Sequence, residues 1–171
     1  MKALSRSFAA WIWLSMQINA KALKQLVRER GYIELPSIGT SMSPAIREGY
    51  VCRFTDIEAR SLKVGDIVLF VGVTGELVGH RLIGTLVKEG KAYYVCKGDS
   101  NRTSDRPVPE EQLIGRMVSV RAGQRLIRAD ALSMRMWGWL VSRLPFVSLC
   151  VHYSVRLHNK TRGRRAGSYI C

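Results

Sequence analysis

Residues 66–87 read DIVLFVGVTGELVGHRLIGTLV. Two runs rich in β-branched residues, DIVLFVGV (66–73) and ELVGHRLIGTLV (76–87), meet at a glycine-containing turn. Such residues fit a pleated, half-buried surface, and glycine serves the turn between them. The pattern continues outward. YVCRFT (50–55) precedes this stretch, and KAYYVCK (91–97) and LIGRMVSVR (113–121) follow it. The spacing predicts a mainly β domain of short hairpins between Ile33 and Arg121.

The flanks read differently. Phe8, Ile12, Met16, Leu23 and Val27 recur at helical spacing, with Gln17, Lys21, Lys24 and Arg28 on the other side and Gly31 as a stop. Trp11 and Trp13 suit a helix lying in a membrane interface, and a helix packed on its own domain fits equally. The apolar run Phe8–Leu14 is far short of a span, and no cleavage site of the signal-peptide kind follows it. Near the other end, MRMWGWLVSRLPFVSLCVHYSV (134–155) is strongly apolar, but Arg143 and Pro145 fall at its centre. A central arginine is expensive in a bilayer, and proline breaks or kinks a helix. Two short interfacial helices are expected there rather than a span. The expected organisation is an amphipathic helix over 1–31, a β domain over 32–127 and a basic, apolar helical segment and tail over 128–171.

Charge follows the same division. Residues 1–30 hold six Lys/Arg and one acidic residue, residues 31–120 hold eleven of each, and residues 121–171 hold ten and one. The net charge of +14 therefore sits on the flanks around a neutral centre. A nucleic-acid binder concentrates basic charge on its folded recognition surface, which is absent here. Basic flanks beside tryptophans match an anionic membrane surface, so a membrane-associated protein, peripheral or monotopic, is expected. Cys52, Cys96, Cys150 and Cys171 form no C-x-x-C pair, so neither a zinc site nor a dithiol redox site is expected.

The chemistry begins at GTSMSPAI (39–46). Serine before proline is a good helix cap, and proline is comfortable at a first helical position. Ser43-Pro44-Ala45-Ile46 thus reads as a capped helical turn. Ser41 is then the free hydroxyl, beside backbone N–H groups able to form an oxyanion hole. A serine nucleophile needs a base. His80 lies within a strand of the neutral domain, whereas His152 and His158 lie in the basic segment away from it. Asp99 and Asp105 in VCKGDSNRTSDRPVP follow a strand directly, and either carboxylate could orient an imidazole or hold the loop together.

In order, GTSMSPAIREG, LKVGDIVLF, GHRLIG, KGDSN with a later Asp and VP, and LIGRMV resemble signal peptidase I, the serine protease family that removes secretory signal peptides. The likeness covers residues 36–120. Most bacterial members place a lysine before the arginine at the base position. His80-Arg81 is similar to the histidine-type branch of the endoplasmic reticulum, archaea and some spore-forming bacteria. The resemblance implies the β fold shared with self-cleaving LexA-like repressors, flanked here by the amphipathic helix and the short C-terminal helices. It implies Ser41 as nucleophile, His80 as general base, Asp105 as the orienting carboxylate and Asp99 as a supporting residue. The oxyanion hole would rest on the Ser41 N–H and Thr40, because Gly39 stands where the family often has a serine. No metal or cofactor is implied.

The expected function is a serine endopeptidase acting on exported or precursor peptides at a membrane surface. A dedicated maturation protease for one precursor keeps the same residues and changes only the substrate. A self-cleaving repressor would need a DNA-binding helix-turn-helix before the β domain, where one convincing helix is found. A non-catalytic membrane-binding module is the remaining alternative.

Overall fold

The computed structural model describes residues 19–166, with side chains described for residues 19–144 and 146–157. Helix α1 spans Ala20–Arg30. The Asn19 side chain accepts from Lys21 N–H and Ala22 N–H at 3.0 and 3.3 Å, satisfying two of the orphan donors of the first turn. Gly31, at φ +80°, ends the helix in the left-handed conformation that glycine adopts without penalty. Leu23 and Val27, one turn apart, face the sheet, and Val27 is fully buried. The rest of the expected helix, including Phe8, Trp11, Trp13 and Met16, lies outside the described residues.

Eight strands follow: β1 Tyr32–Pro36, β2 Val51–Thr55, β3 Ile67–Val71, β4 Leu77–Lys88, β5 Lys91–Lys97, β6 Val108–Pro109, β7 Leu113–Ala122 and β8 Arg125–Arg128. They form one open sheet in the order β1-β2-β7-β3-β4-β5-β6, and every pairing is antiparallel. Strand β8 pairs with Ser119–Ala122 of β7, on the edge that β3 uses lower down, because β2 occupies the other edge.

Strand β3 is buried along its whole length. Its side chains alternate between faces, so Ile67, Leu69 and Val71 enter one cluster while Val68 and Phe70 enter another. The first cluster adds Val27, Met42, Ile46, Cys52, Phe54, Ile114, Met117, Val120 and Met134. The second adds Ala59, Leu82, Tyr94, Cys96, Val108 and Leu113. A strand covered on both faces reads as a continuous apolar run, as IVLFV does. Burying each such side chain contributes about 1.5–3 kcal/mol.

The C-terminal segment forms α2, Leu132–Arg143, and α3, Pro145–Ala166. Proline has no N–H to give to the preceding turn, so the chain breaks at Leu144 and α3 starts at the proline. Met134, Gly138 and Val141 mark the buried stripe of α2. The expected division at Pro145 is present, but α3 is not short, since it runs for 22 residues. With helices of 11, 12 and 22 residues around the sheet, the architecture is mixed α and β rather than mainly β. The larger helical share comes from residues 156–166, whose polar sequence gave no apolar periodicity to read. Among the described residues no helix is long and apolar enough to cross a membrane.

Candidate active site

The loop between β1 and β2 carries Ser41. Ser37 N–H donates to Tyr50 O at 2.7 Å and Gly49 N–H donates to Ser37 O at 2.9 Å, closing the base of the loop. Met42 and Ile46 plunge into the first cluster and hold its tip down. Residues 40–46 form two successive turns, with Ser43 N–H donating to Thr40 O and Ile46 N–H to Met42 O. The Ser43–Pro44 peptide is cis. No helix forms here and the Ser43 side chain caps nothing among the described residues, which corrects the expected capped helical turn. Burial of Met42 and Ile46, rather than a cap, fixes the path of the chain.

Strand β4 supplies the imidazole. His80 pairs with Val68 of β3, and its ring meets Phe70 edge-on at a centroid distance of 6.4 Å. His80 Nε2 lies 2.9 Å from Ser41 Oγ, and His80 Nδ1 lies 2.7 Å from Asp105 Oδ2. A carboxylate only accepts hydrogen bonds, so Nδ1 carries the proton and the Nε2 lone pair faces the serine hydroxyl. Asp105 is held by its own N–H, which donates to Cys96 O at 2.8 Å at the end of β5.

Asp99 does something else. Its carboxylate accepts both Arg81 Nε–H and Arg81 Nη2–H at 2.8 Å, and Trp137 Nε1–H of α2 at 2.8 Å. Arg81 Nη1–H donates to Gly65 O at 2.8 Å. Asp99 therefore joins β4 to α2, while Asp105 touches the imidazole. Ser100, next in the loop, binds the nucleophile turn: its N–H donates to Ser41 O at 2.9 Å, and its Oγ–H is shared between Thr40 O at 2.9 Å and Ser41 O at 3.1 Å.

Arg81, Ser100, Trp137 and His152 are the neighbours that the sequence reading did not assign to the site. His152 is not remote from the β domain as expected, because its Nδ1–H donates to Ser100 O at 3.1 Å. The expectation failed because α3 folds back to the loop after β5, and chain position says nothing of that. His158 lies outside the residues with described side chains. Arg81, beside His80 in GHRLIG, and Ser100, beside Asp99 in KGDSN, lay in the quoted motifs, whereas Trp137 and His152 carried no such signal.

Around the hydroxyl, Ser41 N–H donates to no acceptor among the described residues. Gly39 has φ +81°, and a Cβ built there meets nothing within 4 Å. The backbone, not crowding, explains the glycine. Ser41 and His80 also line an apolar cleft of about 600 Å³, walled by Leu35, Ile38, Phe54, Leu69, Leu77 and Val78. Among the described residues, 77–80 of β4 pair with β3 on one side only, since pairing with β5 begins at Arg81. The cleft thus runs beside a free stretch of strand edge.

Cys52 also lines the cleft, but burial pushes its thiol up to about 11. Burial, with Asp105 adding its charge, pushes Cys96 up to about 12. Both are protonated near neutral pH and are poor nucleophiles. Among the described residues no group of three or more His, Cys, Asp or Glu side chains is placed to hold a metal ion. No protein-family model matches the chain, and no curated protein shows significant sequence similarity to it.

Proposed function

We propose that the protein is a serine endopeptidase resembling signal peptidase I, with the β fold that those enzymes share with self-cleaving repressors, and that it cleaves precursor peptides at a membrane surface. The observation that carries this reading is the unbroken chain Ser41 Oγ, His80 Nε2, His80 Nδ1, Asp105 Oδ2, with links of 2.9 and 2.7 Å, opening onto the apolar cleft. A substrate strand adds to the free edge of residues 77–80, and apolar side chains fill the cleft.

His80 Nε2 takes the Ser41 proton as Oγ attacks the scissile carbonyl carbon. The carbonyl electron pair moves to oxygen, where the Ser41 N–H and the Thr40 hydroxyl stabilise it. Collapse of this intermediate breaks the C–N bond, and the leaving amine takes the proton from Nε2. Water, deprotonated by the same nitrogen, then hydrolyses the acyl-enzyme and restores Ser41. Asp105 holds the useful tautomer and balances the imidazolium that forms.

The outer face of the α2–α3 hairpin supports the membrane location. Met136, Trp139, Phe146, Leu149 and Tyr153 are exposed there, with Arg135, Arg143 and Arg156 as exposed charges. No acidic residue occurs in 132–166. Such a face suits an anionic interface. Mass spectrometry of candidate precursors incubated with wild-type protein and with Ser41→Ala tests the proposal. Site-specific cleavage that disappears in Ser41→Ala is expected, and cleavage that persists in the variant rejects the mechanism.

A further inference from the structure

The α2–α3 hairpin reaches the nucleophile turn through one short loop. Trp137 Nε1–H, from α2, donates to Asp99 Oδ2 at 2.8 Å. His152 Nδ1–H, from α3, donates to Ser100 O at 3.1 Å. Between these two anchors stands Ser100, 5 % exposed, which supplies every hydrogen bond that the Ser41 carbonyl accepts among the described residues. Gly98 permits this close approach, because a Cβ at that position would meet Ser41 O at 2.8 Å.

Ser100 holds two consecutive carbonyls, Thr40 O and Ser41 O. In a trans peptide the C=O and the following N–H lie in one plane and point opposite ways. Fixing Thr40 O therefore aims the Ser41 N–H, and fixing Ser41 O aims the Met42 N–H. The Ser41 N–H is the backbone donor assigned to the oxyanion in the proposed mechanism. Oxyanion donors act by being aimed in advance at charge that develops only in the transition state. A group that fixes them changes turnover more than it changes substrate binding.

We propose that Trp137 and His152 are positioning residues, and that the α2–α3 hairpin sets the aim of the oxyanion donors through Asp99 and Ser100. The kinetic part rests on the peptidase reading, and the structural part does not. Each anchor contributes a single hydrogen bond, so its loss lowers kcat about three- to tenfold.

The test uses the full chain in four variants, Trp137→Phe, His152→Ala, His152→Asn and Ser41→Ala, beside wild type. Phenylalanine keeps the packing of Trp137 and removes its donor, and asparagine can return a donor near the position of Nδ1. Cleavage of an internally quenched peptide, an apolar run followed by Ala-Gln-Ala, gives kcat and KM. Hydrogen exchange follows the Ser100 amide, with Val120 as a core control, and a thermal melt reports folding. Trp137→Phe and His152→Ala should lower kcat, leave KM unchanged and speed exchange at Ser100 but not at Val120. His152→Asn should recover most of the kcat lost in His152→Ala. Unchanged Ser100 exchange in both folded variants overturns the proposal, as does a rise in KM at constant kcat. If wild type does not cleave, or Ser41→Ala cleaves equally, the peptidase reading is rejected, and Ser100 exchange alone decides whether the hairpin holds the loop.

Discussion

His80 and Arg81 are neighbours on one strand, and each meets an aspartate of the same loop, yet the two pairs are built for different work. The His80–Asp105 pair lies at the cleft, with side chains 10 % and 24 % exposed. The Arg81–Asp99 pair is sealed, at 3 % and 1 %, and its carboxylate also takes the Trp137 indole N–H. Strand alternation sends consecutive side chains to opposite faces, so one faces the cleft and the other faces α2. In the proposed mechanism the open pair exchanges a proton with the substrate. The closed pair is an ion pair whose desolvation is offset only while both partners are present.

The largest effect separates the two pairs by activity. Ser41→Ala and His80→Ala should each lower kcat on a cleaved precursor about 10⁴-fold or more, with a melting temperature close to wild type. Asp105→Asn comes next, with a fall in kcat approaching about 10⁴-fold, because the amide allows the wrong imidazole tautomer. If Asp99→Asn lowered kcat as much while leaving stability intact, the division of labour between the two aspartates would be broken.

The closed pair should instead show itself in stability. Arg81→Met, or Asp99→Asn, leaves one buried charge without its partner and should cost about 3–5 kcal/mol, read from urea unfolding. A loss below about 1 kcal/mol would place the pair among ordinary surface ion pairs.

The smallest effect is alkaline and sharpens the role of Asp105. The Cys52 and Cys96 thiols are raised to about 11 and about 12 in the folded protein, from 9.0 ordinarily. Their protonated forms are therefore favoured by folding. The unfolded thiols ionise first, so stability is full below about pH 9 and falls as pH rises through the folded values. The loss should be about 1 kcal/mol per thiol at pH 10. Because the Asp105 charge helps to raise Cys96, Asp105→Asn should soften this decline slightly, measured by unfolding at pH 8 and pH 10. A decline unaltered by Cys52→Ala would remove that thiol as a cause.

Much of this was written locally. The runs rich in β-branched and aromatic residues placed β2, β3, β4, β5 and β7 near their observed bounds, and Gly31 ended α1 as its position indicated. Pro145 divided the C-terminal helices. The turn at Ser43-Pro44 departs from the expected cap, because its course depends on where Met42 and Ile46 are buried and not on the local capping pattern. His152 lies against Ser100, contrary to expectation, because the return of α3 to the loop depends on contacts made across tens of residues.

By itself, the sequence determined the strand-forming core and the two residues, Ser41 and His80, whose hydroxyl and imidazole stand 2.9 Å apart although 39 positions separate them. Only the tertiary structure decided which aspartate meets which base, and that Ser100, Trp137 and His152 hold the turn from behind. The reason is physical: propensity and periodicity act over a few residues, whereas a buried hydrogen bond goes to whichever partner the packed backbone brings within about 3 Å.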